Sequence, residues 1–494
     1  MKIRISNHNG AVCEAREGEP LLSALAGGGI VLSAPCGGRG LCGKCGVRLK
    51  AGTISGTTPD SSGIFSACRG IPVTDLTIEL LDDDAVIQNE VDVQAAPPGR
   101  MPTRAGVALD VGTTTLSARL VDLDTGLALD TYSVLNDQRV FGADVMSRIN
   151  AAMQGKTGEL FALINRQSGD ILNRFLRKWN LAGIERLTVS GNTTMLHLFA
   201  NTDPSGMGTV PFQPVFLDVR EFKGGELSLP VERITLLPSI AAFVGGDIVS
   251  GLASLDILSG VDNALLIDIG TNGEMALFHN GRIYGCSTAA GPALEGAEIS
   301  CGIGSVFGAI NKVFRAEGKL SFTTIGGGYP RGICGCGLID AVALMLREGI
   351  IDETGALDDA YGDGFTITGE IRLLNRDIRQ YQLAKSAIMS GIRLLCKKAG
   401  LAEDGIGAVF IAGGLGFFID KQNAVTAGLL PREFIDKIAD KIAVCGNLSL
   451  RGAERCLVDA AFLGNCERII AKSTVIDLAS DPAFMDEFAA NMLF

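Results

Sequence analysis

Four cysteines near the amino terminus have the spacing of ligands for an iron–sulfur cluster. Three lie on one glycine-rich loop and one follows later, in the pattern C-x5-C-x2-C…C at Cys36, Cys42, Cys45 and Cys68. Four thiolates suit a 2Fe-2S cluster, because each iron takes two of them and small loop residues let backbone N–H groups turn towards the sulfides. The alternatives are a zinc site or four unrelated buried thiols. The spacing favours the 2Fe-2S cluster.

Two short turns further along have the residue types that bind phosphate and a hydrated metal ion. Each follows an apolar strand that ends in an aspartate, Asp110 in ALDVGTTT and Asp268 in LIDIGTNG. Backbone N–H groups and hydroxyls at the tip of such a turn can contact phosphate, and the two aspartates can hold waters of a hydrated Mg2+ as catalytic residues. The expected phosphate ligands are Gly112, Thr113, Thr114, Thr115, Gly270, Thr271 and Asn272.

A third glycine-rich motif, GAVFIAGGLG, also follows an apolar strand. Without side chains at Gly413, Gly414 and Gly416, it presents a flat surface for an adenosine. Taken singly, each of the three motifs is also compatible with an ordinary tight turn. Their order and their strand contexts together favour a nucleotide site.

Asp247, in GGDIVSGLAS, has two interpretations. It is expected either to cap the start of a helix or to act as a catalytic residue that orients a water towards the γ-phosphate. The sequence leaves both open.

The elements that carry these motifs predict two units. Residues 1–90 contain a strand hairpin (MKIRIS, AVCEAR), a helix (PLLSALAGG) and a closing strand (TDLTIELL), which is a small α+β unit of the β-grasp kind. Residues 91–104 contain three prolines and no apolar periodicity, so they are predicted to be a linker. Each phosphate turn then opens a three-stranded meander, which indicates two duplicated α/β lobes, 105–246 and 247–494, closing on a shared cleft.

Composition excludes several classes of protein. The net charge of −12 over 494 residues gives no basic surface for nucleic acid. The apolar runs are too short to span a bilayer, and the amino terminus has no export signal, so a cytoplasmic location is expected. Three histidines leave few ligands for a zinc enzyme. His197, Cys13 and the eight cysteines beyond Cys68 are predicted to be packed residues.

The motifs carry a resemblance to known families. The cysteine loop resembles the adrenodoxin and putidaredoxin branch of 2Fe-2S ferredoxins. The three glycine motifs resemble the superfamily of acetate and sugar kinases, heat-shock chaperone ATPases and actin (ASKHA), whose two lobes are duplicated RNase H-like units. With NDQRVFGADVMSRI, GNTTMLHL, STAAGPALEGAEISCG and GGLG, nearly the whole chain looks like the reductive activators of corrinoid proteins.

This resemblance implies an enzyme that uses ATP, Mg2+ and a 2Fe-2S cluster to reduce Co(II) corrinoid to Co(I) in a methyltransferase, O-demethylase or acetyl-CoA pathway system. It implies a corrinoid protein as partner, an upstream low-potential electron donor and a homodimer. The alternative is an ATP-driven electron donor to another redox enzyme, such as a radical dehydratase or an aryl-CoA reductase. Longer relatives carry a further domain after the cluster module, for which the linker leaves no room.

The stretch CSTAAGPALEGAEISCG carries two carboxylates, Glu295 and Glu298, that none of these motifs requires. It is expected either to be a helix start packed under the cleft or to face the corrinoid partner and move with lobe closure.

Overall fold

The computed structural model describes residues 1–6, 12–27, 30, 32, 45–60, 63–80, 102–434, 439–478 and 480–494. Cys36, Cys42 and residues 91–101 of the predicted linker lie outside these ranges.

The amino-terminal unit is a mixed five-stranded sheet with a short helix. Its sheet order is β2-β1-β7-β3-β5; β1 is antiparallel to β2 and parallel to β7. The alternating burial of β1 places Ile3 and Ile5 in a core with Leu25 and Ile78. The predicted hairpin, helix and closing strand are therefore confirmed. The elements are β1 Lys2–Ile5, β2 Val12–Glu14, α1 Leu21–Gly27, β3 Gly46–Ala51, β4 Ile54–Ser55, β5 Ile64–Ser66, β6 Ile71–Pro72 and β7 Leu76–Leu80.

A six-stranded sheet forms the first lobe of the ATPase unit. Its order is β10-β9-β8-β11-β13-β12, so the central strand β8 has the meander on one side and the parallel strand β11 on the other. The strands are β8 Ala105–Val111, β9 Thr115–Asp122, β10 Ala128–Leu135, β11 Arg186–Gly191, β12 Arg220–Lys223 and β13 Arg233–Leu236. The helices of this lobe are α2 Val145–Ala151, α3 Thr157–Lys178 and α4 Thr193–Phe199, and α5 Gly246–Ser254 follows at the boundary with the second lobe.

The second lobe repeats this arrangement. Its main sheet has the order β23-β22-β14-β15-β16-β24, with β14 between its meander and the parallel strand β22. The strands are β14 Ala264–Ile269, β15 Gly273–His279, β16 Arg282–Thr288, β17 Ala309–Ala316, β18 Lys319–Thr324, β19 Gly332–Ile333, β20 Gly364–Thr368, β21 Ile371–Leu374, β22 Ala408–Ala412, β23 Ile442–Gly446 and β24 Ser473–Val475. The helices are α6 Gly335–Arg347, α7 Asn375–Ala399, α8 Lys421–Thr426, α9 Leu448–Val458, α10 Phe462–Lys472 and α11 Pro482–Ala490.

The duplication extends to the strand register. Asp110 pairs with Ser190 on the parallel neighbour of β8, and Asp268 pairs with Ala412 on the parallel neighbour of β14. Each aspartate is therefore the penultimate residue of the central strand of its sheet, which confirms the duplicated two-lobed fold.

Helices α5 and α9 fill the space between the two main sheets. Leu252 of α5 and Leu448 of α9 share one buried cluster with Ala108 of the first sheet and Leu266 of the second. Helix α9 packs on β8 and β11, although it comes late in the sequence. Helices α3 and α4 cover the outer face of the first sheet, and α6 and α7 that of the second.

Most predicted packing residues are buried. His197 is fully buried, as are Cys13, Cys286, Cys334, Cys336, Cys396 and Cys466. The prediction of burial was wrong for the remaining three cysteines beyond Cys68, because Cys301, Cys445 and Cys456 are partly exposed.

The carboxyl-terminal end of the predicted linker is attached to the first lobe. Arg104 forms ion pairs with Glu185 at 2.8 Å and Asp124 at 3.4 Å, and Thr103 donates a hydrogen bond to Asp124. In the part of the chain that the structure describes, no helix is long and apolar enough to cross a lipid bilayer.

The contact between α5 and α9 generates a prediction about stability. A Cβ at Gly452 would lie 2.4 Å from Ser250 Cβ, so Gly452→Ala must push the two helices apart. We expect it to lower the free energy of unfolding by about 1–3 kcal/mol, measured by urea denaturation. Gly464→Ala on α10, where a Cβ meets nothing within 4 Å, is the matched control and should be neutral or stabilising. Equal effects of the two changes contradict the prediction.

Candidate functional site

The two predicted phosphate turns and the glycine motif meet in one cleft. It encloses about 1440 Å³, including the open space at its mouth. The residues predicted for the site that line it are Asp110, Gly112, Thr113, Thr114, Thr115, Asp247, Asp268, Gly270, Thr271, Asn272, Gly413 and Gly414. Gly416 follows in the same short helical turn, Gly414–Phe417.

Gly413 stands directly beside the second turn. Its φ is +89°, and a Cβ there would lie 2.4 Å from the Ile269 carbonyl oxygen and 2.7 Å from Asp268 Oδ1. A side chain at this position is therefore excluded both by backbone conformation and by space. The glycine is needed for the third motif to approach the second.

Asp110 is held by residues that the sequence analysis missed. Asn447 Nδ2 donates to Asp110 Oδ2 at 2.8 Å, and Ser449 Oγ donates to Asp110 Oδ1 at 2.7 Å. Ser190 Oγ lies 2.8 Å from Ser449 Oγ and 2.9 Å from Ser250 Oγ. The start of α9 and two further elements thus fix the orientation of this carboxylate.

The cleft contains more carboxyl groups than the motifs predict. Glu274 and Glu295 line it together with the three predicted aspartates. Burial, followed by repulsion from Asp247 and Asp110, raises the pKa of Asp268 well above its ordinary value. Burial also raises the pKa of Asp110, although hydrogen bonds from Ser449 and Asn447 oppose the shift. Such a group of carboxylates attracts a cation.

Asp247 does not cap its helix, contrary to one of the two predictions. Gly245 is the N-cap of α5, and Asp247 lies in the first turn, where its Oδ1 accepts a hydrogen bond from the Ile248 N–H at 2.8 Å. The capping interpretation was wrong because the helix begins at Gly246, two residues earlier than an N-cap at Asp247 requires. Burial, with a contribution from Asp110, raises the pKa of Asp247 to about 7.

Glu274 faces the same part of the cleft from β15. It pairs with Asp268 across the β14–β15 ladder. Burial, followed by repulsion from Asp247 and Asp268, raises its pKa well above the ordinary value. One indication in the sequence that Glu274 could belong to the site was its position, because it lies only two residues after Asn272 of the second phosphate turn.

A buried arginine supports the first turn from behind. The Arg148 guanidinium donates to the Thr113 carbonyl oxygen and, at 3.3 Å, to Gln138 Oε1. Burial lowers its pKa to about 9, so it remains mostly charged at neutral pH. Its positive charge lies next to the turn predicted to receive phosphate.

The described residues contain no set of three histidine, cysteine or carboxylate side chains arranged to hold a metal ion directly. The donors around the cleft are hydroxyl, amide and carboxylate oxygens, which suit a magnesium ion that keeps most of its waters. The residues fit a hydrated ion better than a closed metal cage.

Two of the four predicted cluster ligands can be placed. Cys45 is buried and Cys68 is half-buried, and the Cys68 N–H donates to Cys45 Sγ at 3.4 Å. A backbone amide directed at a sulfur fits a thiolate that ligates iron. Cys36 and Cys42 are not among the described residues.

His197 packs in the core of the first lobe, whereas the stretch around Glu295 lies at the cleft. His197 accepts a hydrogen bond from the Val215 N–H at 3.0 Å and stacks on Phe216, 4.1 Å between ring centroids, so it is a packed residue. Pro292–Glu295 forms a short 3-10 turn. Glu295 points into the cleft, whereas Glu298 is exposed.

Three family models match successive parts of the chain. The 2Fe-2S iron-sulfur cluster binding domain matches residues 5–72, the RACo middle region matches 105–259, and the C-terminal domain of RACo, the ASKHA domain, matches 262–494. The chain therefore joins a 2Fe-2S ferredoxin-type domain to an ATP-binding domain of the actin-like superfamily.

Individual relatives agree with this class. Corrinoid activation enzyme RamQ of Eubacterium limosum is 34% identical over 421 residues, covering 79% of this chain and 70% of RamQ. The [Co(II) methylated amine-specific corrinoid protein] reductase of Methanosarcina barkeri is 28% identical over 407 residues, covering 75% of this chain and 73% of the reductase. A solved structure, "Reductive activator for corrinoid,iron-sulfur protein", has 28% identity and a TM-score of 0.74, covering 100% of this chain and 98% of that one. The chain belongs to the family of reductive activators of corrinoid proteins.

The carboxylates of the cleft generate a prediction about pH. Because the pKa of Asp247 is raised to about 7, the folded chain keeps a proton between about pH 4 and pH 7 that the unfolded chain releases. The native chain thus loses stability as pH rises through this window. Asp247→Asn keeps the shape without the charge, so at pH 8 it should raise the free energy of unfolding by roughly 2–4 kcal/mol, with little change at pH 4.

Urea denaturation in EDTA at both pH values measures this difference. Asp262→Asn, at an exposed position, is the matched control and should show no pH-dependent gain. A gain of equal size at pH 4 and pH 8 would contradict the charge-based explanation.

Proposed function

We propose that this enzyme uses ATP to drive the one-electron reduction of Co(II) corrinoid, held on a partner protein, to Co(I). The observation that carries the proposal is that a ferredoxin-type unit and an actin-like phosphate cleft occur in one chain of this family. A kinase with this cleft has no need of a cluster-binding unit. Likewise, a ferredoxin alone has no need of the cleft.

The energetics explain why one chain combines both units. When bound, the 2Fe-2S cluster supplies single electrons at a potential near about −400 mV, and ATP supplies free energy. By family resemblance the corrinoid couple lies lower, so each ~59 mV of gap costs about 1.4 kcal/mol. The protein must therefore link nucleotide binding to a change in how the partner is held.

Within the cleft we assign a role to each group of residues. The two turns at Gly112–Thr115 and Gly270–Asn272 hold the phosphates through N–H groups and hydroxyls, while Gly413, Gly414 and Gly416 accommodate the adenosine. Asp110, oriented by Asn447 and Ser449, and Asp268 hold waters of a hydrated Mg2+ from opposite lobes. Asp247 is placed to orient the attacking water, for which its charged form is required.

In the ferredoxin-type unit, Cys36, Cys42, Cys45 and Cys68 hold the cluster. The amide at Cys68 that points to Cys45 Sγ stabilises the negative charge on that sulfur. The core around Ile3, Ile5 and Ile78 keeps Cys45 next to a rigid sheet.

We propose domain limits at residues 1–90, 91–104, 105–246 and 247–494, a homodimer, and a separate low-potential protein as electron donor. We also propose a cytoplasmic location, because a chain whose 13 cysteines serve as cluster ligands or packed thiols suits a reducing compartment.

The first prediction for this function concerns the two aspartates. Asp110→Asn and Asp268→Asn should each lower ATP hydrolysis by about two orders of magnitude or more, because both weaken the hold on the ion that neutralises phosphate charge. The visible spectrum of the cluster should stay unchanged, since neither residue belongs to the ferredoxin-type unit. Steady-state phosphate release measures the first effect. Wild-type turnover in both variants would show that the turns are ordinary hairpins.

A second prediction tests the reaction itself. With ATP and a low-potential reductant, the purified protein should convert a Co(II) corrinoid protein to Co(I), followed by the visible spectrum of the corrinoid. Cys42→Ala should lose the 2Fe-2S absorption and the electron transfer, because one iron loses a ligand. It should keep basal ATP hydrolysis.

Cys13→Ala is the matched control, because Cys13 is a buried thiol of the same unit and lies outside the cluster loop. It should keep both the absorption and the electron transfer. If the wild type reduces the corrinoid at the same rate without ATP, the proposed coupling is wrong. If Cys42→Ala keeps the EPR signal of a reduced 2Fe-2S cluster, the ligand assignment is wrong.

A further inference from the structure

Glu295 joins the two phosphate turns through a single carboxylate oxygen. Its Oε2 accepts hydrogen bonds from Thr114 Oγ1 at 2.9 Å and from Thr271 Oγ1 at 2.5 Å. The two hydroxyl oxygens are themselves 3.2 Å apart. Thr114 belongs to the turn after β8 and Thr271 to the turn after β14, so this oxygen links one lobe to the other.

The backbone that presents this carboxylate is fixed. Ala293 and Leu294, just before Glu295, are almost completely buried in the core of the second lobe. The other carboxylate oxygen, Oε1, lies 3.7 Å from the position of a Cβ on Gly270. The carboxylate is therefore enclosed by the turns, while the backbone that carries it is held by the core of the second lobe.

A phosphate oxygen and a carboxylate oxygen need the same donors. Both are anionic acceptors, and each threonine hydroxyl has one proton to donate. Since the two hydroxyls already share Glu295 Oε2, a phosphate oxygen can bind between them only after the carboxylate moves away. Repulsion between the two anions also makes joint occupancy unfavourable.

We infer that Glu295 is an internal ligand of both phosphate turns, which the phosphates of ATP must displace. This inference rests on the nucleotide site proposed above. The displaced carboxylate no longer ties the lobes together, so the phosphates take over the link between them. Because part of the population holds the internal ligand, the apparent affinity for ATP is lower than the intrinsic affinity.

Titration calorimetry with the Mg2+ complex of the non-hydrolysable analogue AMP-PNP tests the inference. Glu295→Ala should tighten the binding of Mg2+–AMP-PNP by about tenfold, because the competitor for the hydroxyls is gone. Adenosine, which has no phosphate, should bind within about twofold of its wild-type affinity. Glu295→Gln keeps the shape and one acceptor oxygen, so its effect should be intermediate.

Two controls separate competition from a general effect of charge. Glu298→Ala removes the same charge from an exposed position three residues away and should leave both affinities unchanged. The titrations are repeated in 0.1 M and 1 M KCl, where the screening length falls from roughly 10 Å to roughly 3 Å. The tenfold gain of Glu295→Ala should persist at high salt, since direct competition for hydrogen bonds is not screened.

Each other outcome overturns the inference in a recognisable way. If Glu295→Ala weakens the binding of Mg2+–AMP-PNP, Glu295 helps to hold the nucleotide and its metal. If adenosine binding tightens equally, the change merely enlarges the cleft. Unchanged affinity, or a gain that disappears at high salt, rules out displacement. If the wild type binds no AMP-PNP at all, the nucleotide site itself is wrong and the inference fails with it.

Discussion

Repulsion between buried carboxylates is the constraint on which this structure depends. Burial and mutual repulsion raise the pKa values of Asp268 and Glu274 well above their ordinary range, and Asp247 is affected in the same way. In an unfolded chain these groups would lie apart in water. The folded chain must therefore offset the free-energy cost of burying them close together. Packing in the core between the two main sheets provides the stabilising free energy, because it holds α5 and α9 against both lobes. The site is therefore ready for a cation and unfavourable without one.

The sequence was sufficient for those parts of the site that lie at the ends of strands. A strand that ends in aspartate followed by glycine and threonine is a local pattern, and its repetition at Asp110 and Asp268 revealed the two lobes. Asn447 and Ser449 carry no such pattern. They reach Asp110 because α9 packs on the first sheet more than 300 residues after β8, and periodicity does not specify long-range packing. Glu295 was noticed in the sequence but could not be assigned, since its partners lie on two different turns.

The ferredoxin-type unit and the cleft differ in how much of each site can be recognised from the sequence. The predicted cluster ligands form a motif that can be recognised in the sequence, and the family model of a 2Fe-2S domain matches the region that contains them. The cleft needs two sheets, a shared core and hydrogen bonds across the lobes, such as the one from Thr114 to Glu295. The ion pairs of Arg104 with Glu185 and Asp124 fix the point at which the chain enters the first lobe. Residue 104 is thus held beside the start of β8, the strand that carries Asp110.

The late position of α9 affects how the protein is made. During synthesis the amino-terminal unit leaves the ribosome first, and domains generally fold in that order. The ferredoxin-type unit can therefore fold while the cleft is still incomplete. The first lobe receives the side chains that orient Asp110 only after residue 449 has been translated. A ribosome-bound intermediate can thus contain the complete ferredoxin-type unit before the side chains that orient Asp110 have been made, so the two units are completed at different times.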